Sequence, residues 1–85
     1  MAFEVRFKRS VRNDLKALSK QTQSRLLNAI ERDLASDPYQ GKPLQGEFKG
    51  LFRWRVGEFR VIYEIQEAAV VVLVLKIGHR KDVYR

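Results

Sequence analysis

The chain has 85 residues, of which 45% are hydrophobic, and it carries a formal net charge of +7 at pH 7. That length predicts a single domain over residues 1–85, because too little chain remains for a second hydrophobic core. The lack of cysteine excludes disulfides and thiolate metal sites, and a single His excludes a structural zinc site, so no metal is expected.

The excess of positive charge is the first indication of function. A surface this basic attracts polyanions, and the composition therefore favours contact with nucleic acid over a charge that serves only solubility. The N-terminal segment has no apolar signal-peptide core, and the longest apolar run, residues 68–75, is too short to span a bilayer. We therefore expect a cytoplasmic protein with no membrane partner.

Apolar periodicity predicts one strand and then two helices. Phe3, Val5 and Phe7 alternate with charged residues over 2–8, which indicates a strand with one buried face. Ser10 follows as a candidate N-cap of a first helix. Two apolar stripes have helical spacing: Val11, Leu15 and Leu18, and then Leu26, Leu27, Ile30 and Leu34. Only a short polar turn separates these stripes, so the helices are predicted to form an antiparallel hairpin that ends at Asp37-Pro38.

The remaining residues are rich in turn formers and then in strand formers. Proline and glycine interrupt any regular period over residues 38–50, and three strands are predicted after them, at 51–56, 59–66 and 70–77. The order β-α-α-β-β-β is typical of an α+β domain. We expect the helix hairpin to pack on one face of a mostly antiparallel four-stranded sheet.

The register of the first predicted hairpin follows from its turn. Gly57-Glu58 fits a two-residue turn whose first residue has a positive φ, which pairs Arg55 with Arg60. Opposed side chains share a face, so Arg53, Arg55 and Arg60 gather on one side of the sheet. A slip of one residue would bury all three arginines. The side chains expected under the helices are Phe52, Trp54, Val56, Phe59, Val61, Tyr63 and Ile65.

The last predicted strand is apolar on both sides. A three-residue loop over 67–69 would place Lys76 opposite Arg60 on the arginine side, since the other facing would bury an ammonium group. The side chains then expected to face the helices are Val71, Leu73, Leu75 and Ile77. Glu58 and Glu64 are available to balance the arginines, as on an ordinary solvent-facing sheet. The direct opposition of two like charges, Arg55 and Arg60, nevertheless favours an anion site.

The chain closes with KIGHRKDVYR, which places His79, Arg80 and Tyr84 near the end of the last strand. Each residue also has an interpretation without function: His79 as an exposed imidazole, Arg80 as a solubilising charge and Tyr84 as a ring packed on the sheet. The stretches PLQGEFKGLFRWRVGEFRVIYEI and VVVLVLKIGHRKDVYR, however, resemble the RelE branch of the RelE/ParE toxin superfamily. The resemblance covers nearly the whole chain and implies a RelE-like microbial RNase fold.

The resemblance also implies an activity. RelE-type toxins of type II toxin–antitoxin systems are ribosome-dependent endoribonucleases, or mRNA interferases, which inhibit translation and arrest growth. They cleave mRNA in the A site by attack of a 2′-hydroxyl on the adjacent phosphate, with no cofactor. The implied partners are mRNA, the ribosome and a RelB-like antitoxin on a separate chain. The candidate catalytic residues are Arg60, Arg80, Tyr84 and His79, and the candidate substrate-binding residues are Arg53, Arg55, Lys49 and Lys76.

The identity of the general base stays open at this point. Several members of the family have lysine where this chain has Arg53 and Arg55, and a guanidinium stays protonated in proteins. The remaining candidates are His79, Tyr84 and Glu64, and we favour His79 because an imidazole exchanges protons near neutral pH. Two other functions also stay open: a ParE-like inhibitor of DNA gyrase, and a nucleic-acid-binding module without catalysis.

Overall fold

Residues 2–79, which the computed structural model describes, form one mixed sheet and two helices. The strands are β1 (Glu4–Phe7), β2 (Lys42–Pro43), β3 (Leu51–Val56), β4 (Phe59–Gln66) and β5 (Val71–His79), and the helices are α1 (Val11–Lys16) and α2 (Lys20–Ala29). The strand order is β1-β5-β4-β3-β2, with β1 parallel to β5 and the other pairs antiparallel. The predicted α+β architecture is therefore confirmed, with one strand more than expected: the two-residue β2.

The helix pair is stabilised at its connection rather than at its start. Ser19 is the N-cap of α2, and its hydroxyl oxygen accepts a hydrogen bond from Thr22 N at 3.1 Å. Ser10 occupies the N-cap position of α1 as predicted, but its side chain makes no capping hydrogen bond, because its backbone is already helical. The turn starts earlier, where Val11 N donates to Lys8 O at 2.9 Å. Past Ala29, α2 continues as a π-helical turn over Ile30–Leu34. Within residues 2–79, no helix has the length and hydropathy needed to cross a bilayer.

The core lies between the helix pair and one face of the sheet. Its largest side chain is Tyr63, which is fully buried. The core cluster comprises Val11, Leu26, Ile30, Leu34, Val61, Tyr63, Val72, Val74 and Ile77. The β3 and β4 side chains that were expected under the helices belong to this cluster or pack against it. The opposite face of β3 and β4 is therefore left for the polar and charged residues.

The pairing of β3 with β4 confirms the predicted register. Arg55 lies opposite Arg60, and Val56 lies opposite Phe59 beside the turn. Gly57 has a φ of 58°, the left-handed conformation that a two-residue hairpin turn requires at this position. Both strands also have the predicted bounds.

The prediction of which β5 side chains face the helices is wrong for the beginning of the strand and right for its end. The β4–β5 turn is one residue longer than expected, because Val70 adopts a left-handed conformation with φ 55° and Gln66 pairs with Val71. Val72 and Val74 therefore face the core, in place of the odd-numbered residues that were expected there. A second irregularity follows: Tyr63 pairs with Val74 and Ile62 with Lys76, so a bulge at Leu75 reverses the alternation again.

The two shifts determine where the end of β5 points. Ile77 faces the core as predicted, and Lys76 lies on the arginine side as predicted. Lys76 is nevertheless opposite Ile62, whereas Arg60 is opposite Gly78. The predicted pairing of Lys76 with Arg60 is therefore wrong by two residues.

Candidate nucleic-acid interface

Basic side chains form two adjacent rows across the sheet face that points away from the helices. In the first row, Lys42, Arg53 and Lys76 lie on β2, β3 and β5, with Ile62 of β4 between the last two. In the second row, Arg55 lies opposite Arg60, and Gly78 takes the next position on β5. The five cations of these rows are called the arginine face below.

Part of the arginine face lines an open cleft of about 340 Å³. Its floor is the paired strands β3 and β4, and its wall is the segment that leads into β2. The lining residues are Gln40, Gly41, Lys42, Arg53, Trp54, Arg55 and Arg60. We call this the arginine cleft. A concave cationic surface of this kind is suited to a ligand that carries phosphate, because guanidinium groups bind phosphate oxygens in a bidentate manner.

Three contacts fix the wall of the arginine cleft. The hydroxyl of the buried Tyr63 donates a hydrogen bond to Pro38 O. Trp54 Nε1 donates to Gln40 Oε1 at 3.2 Å. Gly41 lies so close to β3 that a Cβ at this position would be 2.7 Å from Arg53 O. Burial raises the pKa of Tyr63 to about 12, so this hydroxyl keeps its proton and its donor role at neutral pH.

Arg53 and Arg55 of the arginine face are not balanced by the acidic residues that the sequence offered. Within residues 2–79, neither Arg53 nor Arg55 forms an ion pair. The carboxylate of Glu64 instead accepts a hydrogen bond from Gln66 Nε2 at 3.1 Å. Arg55 also lies directly opposite Arg60, and opposed like charges on neighbouring strands are unfavourable in isolation, so the arrangement favours an anion beside Arg55.

The candidate bases occupy different places. His79 lies opposite Phe59, with ring centroids 6.1 Å apart, and Phe59 packs against the core. The imidazole is therefore on the helix side of the sheet, away from the arginine face. Glu64 shares the side of Arg53, one row further along β4. Arg80 and Tyr84 lie outside the described residues.

Two predicted substrate contacts lie away from the arginine cleft. Lys76 is half-buried in the first row, on the far side of Ile62 from Arg53. Lys49 is exposed in the loop that precedes β3. Neither lysine lines the cleft, although Lys76 shares its face.

Known proteins match almost the entire chain. Residues 5–84 match the family model described as "ParE toxin of type II toxin-antitoxin system, parDE". The chain belongs to this toxin family. It is 35% identical to Toxin RelG of Mycobacterium tuberculosis, over 100% of this chain and 99% of that toxin. It is 27% identical to Toxin RelE of the same organism, over 98% of this chain and 87% of that toxin. The predicted membership of the RelE/ParE superfamily is confirmed.

Solved structures give the same assignment for the toxin. The RelBE2 toxin–antitoxin complex of Mycobacterium tuberculosis superimposes with a TM-score of 0.90 at 32% identity, over 94% of this chain and 100% of the matched one. The archaeal RelE–RelB complex of Pyrococcus horikoshii OT3 gives 0.70 at 27%, over 98% and 100%. Both neighbours are complexes with RelB-type antitoxins. The expected RelE-like fold is thus confirmed.

Apart from Trp54, which was expected only in the core, three residues of the toxin's cleft were missed from the sequence: Gln40, Gly41 and Lys42. They fall in the stretch that its proline and glycine content marked as turns. A signal for Lys42 was present, because a residue before proline favours an extended backbone and proline is tolerated in an edge strand. Nothing in the sequence alone indicated that β2 would place this lysine directly opposite Arg53.

Proposed function

We propose that the toxin is an endoribonuclease that cleaves mRNA in the ribosomal A site and so inhibits translation. One observation carries the proposal: Arg53, Arg55 and Arg60 lie on one side of the sheet and line a single open cleft. The similarity to toxins named RelG and RelE supports the same choice within the superfamily.

The proposed reaction uses the RNA's own nucleophile. The 2′-oxygen attacks the adjacent phosphorus while the bond to the 5′-oxygen breaks, which leaves a 2′,3′-cyclic phosphate and a 5′-hydroxyl. The 2′-hydroxyl loses its proton to a base, and the leaving oxygen gains one from an acid. Arg53, Arg55 and Arg60 stabilise the negative charge that develops on the phosphate oxygens, which is worth about 3 kcal/mol per well-placed donor.

The candidate for the base is chosen by its position relative to the arginine face. His79 was the preferred base, but its ring lies beside Phe59 on the helix side, so our proposal does not rely on it. Glu64 takes its place as the candidate base because it shares the side of the arginines. Arg80 and Tyr84 keep the roles that the family resemblance implies, phosphate stabilisation and orientation of the nucleotide, as residues to be tested by substitution.

A RelB-like antitoxin is the proposed partner. Besides the two complexes above, a groove of about 340 Å³ between β1 and the helices supports this assignment. Its floor is apolar and contains Phe7, which is 37% exposed, together with Val11 and Leu15. Its cationic lining residues are Lys8, Arg9, Arg12 and Lys16, which suit an acidic amphipathic helix.

The test is a reconstituted translation reaction with end-labelled mRNA. We expect wild-type toxin to cut ribosome-bound mRNA, and we expect Arg60→Ala and Arg80→Ala to lose at least about 100-fold in rate. Lys20→Ala removes one charge from the start of α2, outside both the arginine cleft and the antitoxin groove, and should cut like wild type. Replacing the attacking ribose by deoxyribose should block cleavage. If mRNA stays intact on ribosomes in the presence of folded wild-type toxin, the nuclease assignment is wrong.

Inhibition of DNA gyrase is the second candidate, because the matching family model is the ParE toxin. One experiment that follows both DNA breaks and mRNA cleavage distinguishes the two candidate functions. Gyrase-dependent DNA breaks, together with mRNA that stays intact on ribosomes, would replace the first proposal by the second.

A further inference from the structure

A second cleft lies on the other side of β3, between that strand and the helical segment. It has a volume of about 430 Å³ and is lined by Arg25, Asn28 and Arg32 from the helical side and by Trp54 and Arg55 from β3. We call it the helix cleft. It shares Arg55 with the arginine face and is separate from the apolar groove beside β1.

The helix cleft is strongly cationic. Three arginines line it against one carboxylate, that of Asp33. Asp33 is already paired, since its Oδ1 lies 3.0 Å from Arg32 Nε and its Oδ2 lies 3.2 Å from Arg32 Nη2. Within residues 2–79, Arg25 and Arg55 form no ion pair. Two guanidinium groups are therefore left for an anion, and the Asn28 amide adds a neutral donor.

The two clefts are continuous around the edge of β3. Trp54 and Arg55 line both of them. The neighbouring strand β2 pairs only Lys42 with Arg53 and Pro43 with Phe52, so among residues 2–79 no strand flanks this side of β3 beyond Arg53. A flexible chain is thus able to pass from one side of the sheet to the other at this edge. Trp54 lies at the crossing point, where its half-buried indole is held by Gln40.

We propose that the helix cleft binds the sugar–phosphate backbone of the same RNA strand whose scissile phosphate occupies the arginine cleft. The inference rests on the proposed function. A single strand fits this path because it bends freely around the edge of β3, whereas a duplex is stiff on this length scale. The indole of Trp54 offers a surface for a base at the bend, as aromatic side chains do in other single-strand grooves.

The experiment measures binding of uncleavable 2′-O-methyl RNA to the full toxin without ribosomes. A trinucleotide is chosen as a ligand for the arginine cleft alone, and an octanucleotide is chosen to be long enough for both clefts. We expect Arg25→Ala to weaken octanucleotide binding about three- to tenfold and to leave trinucleotide binding unchanged. The dependence of log affinity on log salt should become shallower by about 0.7 for the octanucleotide, because one phosphate contact is lost.

Three further variants make the outcomes distinct. Arg53→Ala should weaken both oligonucleotides, and Lys20→Ala should weaken neither. If Arg53→Ala weakens binding while Arg25→Ala combined with Arg32→Ala does not, the helix cleft is not part of the RNA path, and the proposed function stands. If none of these substitutions changes binding, the helix cleft is not an RNA site and our inference is wrong, while the translation assay with Arg60→Ala decides the proposed function. If the helix-cleft substitutions abolish capture of the antitoxin and leave RNA binding intact, the cleft serves the antitoxin, and our inference is wrong.

Discussion

Arg55 and Arg60 lie directly opposite each other on β3 and β4, one pair away from the hairpin turn. Opposed like charges on neighbouring strands destabilise a sheet, and an anion bound between them removes that repulsion. The folded toxin should therefore bind phosphate more strongly than the unfolded chain does.

This relationship predicts stabilisation by inorganic phosphate. At a phosphate concentration about ten times the dissociation constant, the free energy of unfolding should rise by about 1.4 kcal/mol. Arg55→Ala should lose this gain and should be as stable as wild type, or slightly more stable, without phosphate. Thermal unfolding in phosphate and in chloride at equal ionic strength measures the effect. Equal gains in Arg55→Ala and Lys20→Ala would contradict the prediction.

Gly41 allows the wall of the arginine cleft to approach β3, so Gly41→Ala should displace that wall. The added Cβ would meet Arg53 O at 2.7 Å and the Tyr63 hydroxyl as well, neither of which moves easily. We expect a loss of about 1–3 kcal/mol in the free energy of unfolding. The fluorescence of Trp54, the single tryptophan of the chain, should also shift as its contact with Gln40 is lost.

Gly46→Ala is the matched control for this substitution. Gly46 has a φ of 65°, so alanine strains the backbone there, but no atom lies within 4 Å of its added Cβ. This variant should lose stability through its backbone while the emission of Trp54 stays unchanged. A fluorescence shift in both variants would show that the emission does not report on the cleft wall.

The raised pKa of Tyr63 predicts a loss of stability at alkaline pH. Burial raises its pKa to about 12 in the folded toxin, whereas an exposed tyrosine has a pKa of about 10. The folded state therefore holds this proton more tightly than the unfolded chain does. The corresponding stability is complete below about pH 10 and is lost as the pH rises towards 12.

Tyr63→Phe isolates this contribution. The variant should be less stable at neutral pH by about 1–3 kcal/mol, because Pro38 O loses its buried hydrogen-bond donor. Its stability should also fall less steeply than that of wild type between about pH 10 and 12. Denaturant unfolding across this range gives both slopes. Parallel pH profiles for the two proteins would be incompatible with the raised pKa.

Asp14 links α1 to the part of β5 that extends beyond its pairing with β1. Its Oδ2 accepts a hydrogen bond from Ile77 N at 3.0 Å, beyond the last β1–β5 pair at Phe7 and Val74. Asp14→Ala should cost about 1–3 kcal/mol, and Asp14→Asn, which keeps an oxygen acceptor, should cost less. The amide hydrogen of Ile77 should exchange faster in Asp14→Ala. Asn13→Ala, at the neighbouring exposed position, is the control and should change neither quantity.

The hairpin and its arginines were predictable because one face of β3 and β4 is apolar and the other is polar. That contrast fixes the register, and Gly57 provides the turn. The apolar alternation also gave the order of the elements. The position of the core side chains on both strands followed without any knowledge of the tertiary structure.

The facing of β5 was not predictable by the same reasoning. This strand is apolar on both sides, so its pattern does not distinguish one face from the other. The longer turn depends on the left-handed conformation of Val70, and no sequence pattern predicts a positive φ at a valine. The bulge depends on how β5 pairs with β4 in the folded sheet. The two irregularities cancel at the end of the strand, so His79 lies on the helix side together with Ile77, as the predicted facing of the odd-numbered residues already implied.

The bulge at Leu75 has a consequence for how this strand tolerates changes in length. Deleting that one residue, with all others retained, would join Val74 directly to Lys76 and make the alternation of the strand regular. Lys76 would stay opposite Ile62, and His79 would stay opposite Phe59. A frame-preserving loss of this single codon should thus straighten β5 and leave every later side chain on its present side of the sheet.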